Sequence, residues 1–243
     1  MITLFSNPHR FMALSRWLAP VMYVLAAVLI SISVWLGLYE LPAERVQGDS
    51  ARILIIHVPS AILSTGTYMG MAVMSFVWFI WRHELADMAA KAIAPIGMVY
   101  TGICLLTGAI WGKPTWGTWF EWDDPRMLFV LILFFLFMGY LALRSAMPTR
   151  KMASTAGAIV AMVGVIMVPL IKYSVEWFTS LHQDASFTAS GSSMSAEFAI
   201  PLFVAMAGHG LLCGALTLSL MRASIWQRRA DVIRARWLAE GTA

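Results

Sequence analysis

The chain has 243 residues, of which 60% are hydrophobic and only 12% charged, about half the globular norm of roughly 25%. So few charges cannot cover a soluble domain of this size. The composition excludes a disordered chain and a water-soluble enzyme, and makes lipid the expected solvent. A net charge of +4 invites a nucleic-acid reading only until the positions of the charges are considered.

Six long apolar stretches lie between the charged residues: Trp17–Tyr39, Ile53–Trp81, Ala92–Gly112, Met127–Leu143, Met152–Ile171 and Phe198–Met221. Each approaches or exceeds the roughly 20 helical residues that cross a bilayer core, and the shortest, the fourth, borrows length from its flanks. No stretch shows the period-two alternation of a barrel strand. Only helices and closed barrels satisfy their own backbone in lipid. The expectation is therefore an all-α polytopic membrane protein, with residues 1–243 forming one six-helix domain. The first span lacks a small-residue cleavage site and is read as retained.

Lys and Arg set the orientation. An even number of spans puts both termini on one side. That side holds Arg10, Arg16, Arg82, Lys91, Arg144, Arg150, Lys151, Arg222, Arg228, Arg229, Arg234 and Arg236, against Arg45, Arg52, Lys113, Arg126 and Lys172 opposite. By the positive-inside rule both termini are cytoplasmic. The basic surplus is then topology and headgroup attraction, and the case for nucleic acid falls.

Three outer loops follow, near 40–52, 111–126 and 172–197. The second carries Trp111, Trp116, Trp119, Phe120 and Trp122 within twelve residues, more than an interfacial belt needs. It reads as a stacking platform for a large flat ligand, with aromatic anchoring at the headgroups as the plainer reading. Glu121, Asp123 and Asp124 allow either a catalytic carboxylate pair or a solvated ion cluster with Lys113 and Arg126. His57 stands at the mouth of the second span, with Pro59 fitting a first helical turn. His182 lies in the third loop. His209 sits mid-span, either a functional group or a neutral imidazole bonded to a neighbouring helix. His9 and His83 flank arginines on the terminal side.

Two imidazoles around an aromatic platform suit haem, which is planar and apolar and takes two axial nitrogens. Arg52, Lys113, Arg126 and Lys172 are cations available to its propionates, Arg52 foremost and Arg126 second. Zinc is disfavoured because no HxxxH or His/Cys cluster supplies enough ligands. Cys104 and Cys213 both lie in apolar runs, which argues against a disulfide or CxxC site. Two other classes compete. A cytochrome b-type electron carrier would need histidines paired at membrane depth, and a membrane transferase would use Glu121 or Asp123 as base. There is no Gly-x-x-x-x-Gly-Lys loop, so ATP dependence would have to come from a partner.

Trp111-Gly-Lys-Pro-Thr-Trp-Gly-Thr-Trp-Phe-Glu-Trp-Asp123 resembles the "WWD" loop of the haem-handling superfamily, and within it the chain resembles the CcmC family of cytochrome c maturation. The segments His57-Val-Pro-Ser-Ala and Ser174-Val-Glu-Trp through His182-Gln match the family's flanking histidine segments. Agreement in length, spans and loop order covers nearly the whole chain. The resemblance implies a non-enzymatic protein of the bacterial inner membrane that binds haem b on the periplasmic side. In it His57 and His182 are axial ligands, and Trp111, Trp116, Trp119, Phe120, Trp122 and Asp123 hold the haem edge. It further implies transfer to the haem chaperone CcmE, and association with CcmD and the transporter components CcmA and CcmB. Two departures stand out. Phe120 sits where relatives often carry Trp, and Asp124 is inserted before Pro125-Arg126, which leaves open which carboxylate plays the family Asp's part.

Overall fold

A computed structural model describes residues 7–182, 187–188, 191–192 and 194–240. Its helices are α1 (Pro8–Trp35), α2 (Leu54–Trp81), α3 (Glu84–Trp116), α4 (Pro125–Ala146), α5 (Arg150–Gly164), α6 (Met167–Trp177) and α7 (Ala196–Glu240). A π-helical turn, Leu36–Glu40, ends α1, and a 3-10 turn, Asp49–Ile53, leads into α2. The antiparallel pair β1 (Phe187–Thr188) and β2 (Gly191–Ser192) adds two residues each in the third loop. With α5 and α6 counted as one broken span, six segments among the described residues are long and apolar enough to cross a membrane. The protein is a multi-pass membrane protein of the expected all-α class.

The spans alternate in direction, so the bundle has two ends. The terminal end carries the start of α1, the α2–α3 and α4–α5 turns and the end of α7. The loop end carries the three longer connections. Large side chains such as Leu106 and Val163 are 68% and 69% exposed, as a lipid-facing surface requires. Between α2, α3, α4 and α5 lies the main core, built on Tyr68, Met71, Leu133, Phe137 and Tyr140. α1 lies chiefly against α7, where Tyr23 donates to Ser219 Oγ at 3.1 Å. At the terminal end Arg144 of α4 grips Asp87 of α3 through two hydrogen bonds of 2.6 and 3.1 Å. Neither charge is left unpaired in a buried setting.

Three boundaries differ from expectation, each for a local reason. The fifth span breaks between Gly164 and Met167. Pro169 has no N–H for the carbonyl of Val165, and that carbonyl instead accepts from Val168 N at 3.0 Å in a tighter turn. α3 runs through Pro114 to Trp116, so Trp111 and Trp116 are helical and the loop proper is 117–124. Gly117 then ends the helix with φ +80°, a left-handed conformation that glycine adopts without strain. Finally, α2 begins at Leu54, which makes Pro59 its sixth residue and not part of its first turn.

At the break in the fifth span, an added Cβ on Gly164 would collide with the Tyr68 hydroxyl. Gly164→Ala is therefore expected to lower stability by about 1–3 kcal/mol, and Tyr68→Phe in the same chain should recover part of the loss. Thermal unfolding in detergent checks this. Additive effects of the two changes would show that the contact is not the cause.

Candidate functional site at the loop end

His57 is the fourth residue of α2, and its position is set by α3. Gly108 lets the imidazole approach the helix backbone: a Cβ there would stand 3.1 Å from the ring's Cε1. The ring's Nδ1 lies 3.0 Å from Thr107 Oγ1, and that hydroxyl sits 2.6 Å from the carbonyl oxygen of Ile103. A threonine hydroxyl has one proton, here directed at Ile103 O, so Oγ1 can only accept from His57. Nδ1 thus carries the proton, and Nε2 keeps its lone pair. Trp111 stands edge-on to the imidazole, with ring centroids 5.5 Å apart at 85°. Its own Nε1–H donates to Gln47 Oε1 at 2.9 Å, which ties the first loop to α3.

His182 reaches the same end from the third loop, and Asp124 is what holds it there. Asp124 is the N-cap of α4. Its Oδ1 accepts from Met127 N at 3.1 Å, while Oδ2 accepts from Ser180 Oγ at 2.7 Å and Leu181 N at 2.8 Å. One buried carboxylate therefore caps a helix and tethers a loop. His182 Nδ1 lies 3.4 Å from both Asp124 Oδ2 and Ser180 Oγ. The serine's proton is already directed at Asp124, so here too Nδ1 must be the donor, and Nε2 again keeps its lone pair. Trp116 flanks this ring at 5.0 Å and 61°.

Burial works to raise the Asp124 pKa, but the hydrogen bonds from Ser180, Leu181 and Met127 outweigh it, and the carboxyl sits below its ordinary range. For His182, burial lowers the pKa and Arg126 adds to the effect. Asp124 opposes both, and the balance lies below the usual histidine value. A neutral imidazole, with one nitrogen tied down by a partner and the other bearing a lone pair, is the form that binds a metal.

The remaining candidate residues are distributed around this centre. Trp119 and Trp122 are 57% and 66% exposed. Phe120 packs on Trp122 with centroids 4.7 Å apart, and its backbone is turned by Thr118 Oγ1, which donates to Phe120 O at 2.9 Å. Asp123 is exposed, its N–H reaching Glu121 Oε1 at 3.5 Å. Arg126 Nε donates to Ser174 Oγ at 3.2 Å, pinning α4 to α6. Arg52 pairs with Asp49 at 3.1 Å and donates to Leu38 O, while its Nε is buried and has no hydrogen-bond partner among the described residues. Lys113 Nζ caps its own helix by donating to Gly117 O at 2.9 Å. His209 lies apart, against Tyr100 Oη at 3.3 Å.

Thus the structure brings together His57, Trp111, Trp116 and His182, with Asp124 behind the last. It leaves Trp119, Phe120, Trp122 and Asp123 on the turn that borders them. Sequence reasoning missed Thr107, Gln47 and Ser180. No pattern marks a threonine, glutamine or serine as the partner of a distant side chain. Asp124 was findable, because Asp before Pro at a helix start is an N-cap signature.

The fold and this site define a class: a six-span membrane protein presenting two neutral, pre-oriented imidazoles among tryptophans at one end of its bundle. Residues 1–236 match the family model described as Heme exporter protein C, and the chain belongs to that family. It is 42% identical over 228 residues to a Heme exporter protein C of Bradyrhizobium diazoefficiens, covering 92% of this chain and 85% of that one. Identity to the Paracoccus denitrificans protein of that name is 40% over 235 residues, 96% of each chain. The Escherichia coli K12 protein is 40% identical over 215 residues, covering 88% of this chain and 86% of its own.

Proposed function

We propose that this protein binds haem b at the loop end of its bundle and hands it on during cytochrome c maturation, with His57 and His182 as the two axial ligands. The observation that carries the reading is the pair of imidazoles, each with Nδ1 committed to a protein acceptor and Nε2 left with its lone pair. Among the described residues no group of three or more His, Cys, Asp or Glu is placed to hold a bare metal ion. A macrocycle that already gives the iron four nitrogens needs only two more. Trp111 and Trp116 supply apolar walls beside the two rings, and the exposed surface of Trp119, Phe120 and Trp122, with Asp123 at its edge, offers the haem face and rim a bed. Names of the relatives place them in a haem exporter, which agrees with this cargo.

The charge distribution supports cytoplasmic termini and a periplasmic site in the bacterial inner membrane. Delivery to the chaperone CcmE, and assembly with CcmD, CcmA and CcmB, belong to the same reading. The protein's part is carriage without covalent chemistry, since ligation by histidine is reversible when another histidine competes. The direct test is purification in detergent followed by a haem spectrum, with and without the chaperone. A Soret band that passes to the chaperone fraction is the expected result, and a haem-free protein from haem-replete cells would refute the reading.

Arg52 is the leading propionate partner in this scheme, and Arg126 the second. The buried Nε of Arg52 has no partner among the described residues, and a propionate at low dielectric gains far more from a cation than one in bulk water. The pair with exposed Asp49 contributes little to the fold. Arg52→Leu is expected to weaken haem retention by about tenfold, and Arg150→Leu at the terminal end to leave it unchanged. Equal losses in the two variants, measured as haem per protein, would remove the propionate role.

A further inference from the structure

α7 is longer than a bilayer requires. Its 45 residues measure about 67 Å, against about 40–45 Å for a membrane with its headgroups. The apolar span ends at Met221, and the helix continues unbroken from Arg222 to Glu240, a further length of about 28 Å. This extension carries Arg222, Arg228, Arg229, Arg234 and Arg236 against only Asp231 and Glu240.

The extension is nevertheless not merely a polar stalk. Trp226, Ala230, Ile233 and Trp237 recur at i, i+4, i+7 and i+11 and so share one face. Trp226, Ile233 and Trp237 are 55%, 52% and 74% exposed. Arg222, Arg229 and Arg236 run beside that stripe at seven-residue spacing. Arg222 is tied to α1 through Met12 O and Ser15 Oγ, while the Arg229 guanidinium lies 5.0 Å from the Trp226 ring. Next to the stripe a groove of about 760 Å³ opens between α7, the start of α1 and the α2–α3 turn. Leu85, Met88, Ile225 and Val232 line it, and Ile233 belongs to both groove and stripe.

We propose that this stripe and groove dock an acidic amphipathic helix of a partner protein. The apolar positions recur at helical spacing, so the complementary surface is another helix laid along α7. The basic row requires acidic residues on the flank of that helix. A membrane surface is a poorer match. Trp237 lies sixteen residues beyond the end of the apolar span, about 24 Å at helical rise, well past the headgroups of an upright helix. Exposed tryptophans at that height are a liability unless a protein covers them. The stripe and groove share no residue with His57, His182 or the tryptophan-rich loop, so either proposal can fail alone.

The test uses the full chain in nanodiscs containing phosphatidylglycerol. A fluorescein-labelled helical peptide with a Leu stripe and Glu flanks is compared, by anisotropy, with the same peptide carrying Lys flanks. The Glu peptide is expected to bind at least about tenfold more tightly. Arg229→Glu with Arg236→Glu should reverse that preference, and Ile233→Asp should abolish binding with the haem spectrum intact. Equal binding of the two peptides, or none, overturns the proposal. A polarity-sensitive dye on a Trp237→Cys variant gives the second readout. Water-like emission that turns blue on adding the Glu peptide is expected, whereas lipid-like emission from nanodiscs alone would mean that the membrane covers this face, and would also overturn it.

Discussion

His57→Gly and His182→Gly are each expected to lower retained haem by more than the roughly 10- to 100-fold that loss of a mere supporting partner costs. Added imidazole should restore part of it. The two variants should differ in how readily they are rescued. Thr107, Gly108 and Trp111 form the walls around His57, and all three sit on one helix, so His57→Gly leaves a rigid, imidazole-shaped gap with an acceptor ready for its N–H. His182 is held by a loop tether, and its removal leaves a less defined space. Rescue of His57→Gly is therefore expected at a lower imidazole concentration than rescue of His182→Gly. Haem content and Soret position, titrated with imidazole, measure both effects. Wild-type haem content in both variants would remove the ligand assignment altogether.

Much of this was readable from sequence because lipid simplifies the problem. A stretch such as Ala92–Gly112 announces its helix by hydropathy alone, since no other structure satisfies a backbone in hydrocarbon. The same signal is blind at helix ends. Hydropathy stops at Met221, yet Ala, Arg, Gln and Leu beyond it are good helix formers and carry α7 on to Glu240. It stops likewise at Gly112, although one proline near a helix end is tolerated and α3 reaches Trp116. The break near Gly164 had a visible cause in Pro169, whose effect is local and independent of hydropathy.

At the site, His57, His182 and the tryptophans stood out because such residues are rare in apolar surroundings. What orients them did not. Thr107 is one of several hydroxyl residues within apolar spans, and only the packing of α2 on α3 selects it. Gln47 and Ser180 act across 64 and 56 residues of chain, beyond the reach of any local pattern. The adjacent carboxylates of the second loop show the limit most clearly: their types are the same, but the helix start buries Asp124 and leaves Asp123 in solvent.

That difference leads to the second large expectation, for Asp124→Asn. The carboxylate accepts hydrogen bonds from Met127, Ser180 and Leu181 on two oxygens; an amide has one oxygen and must abandon either the cap of α4 or the tether of the third loop. It also offers His182 Nδ1–H a weaker, uncharged acceptor, so the tautomer with Nε2 free loses its preference. Haem affinity at neutral pH is expected to fall by about 10- to 100-fold. Ser180→Ala, which keeps the charge and removes one hydrogen bond, should cost less. Acid pH separates orientation from simple unfolding. Because the folded pKa of His182 is depressed, the folded protein binds fewer protons than the unfolded chain below about pH 6.5. Its contribution to stability therefore falls as pH drops through that value, and the decline ends once the folded imidazole titrates. The depressed carboxyl of Asp124 acts lower still: its contribution is complete above the ordinary carboxylate range and is lost as pH falls through its folded pKa. Removing the charge takes away what raises the His182 pKa. In Asp124→Asn the protonation of His182 should thus move to still lower pH even as affinity at neutral pH drops. Following the His182 ring by NMR across pH, beside haem titration, checks the two shifts together. A loss of affinity with His182 titrating unchanged would leave Asp124 only its part in the loop, and an unchanged affinity would remove it from the site.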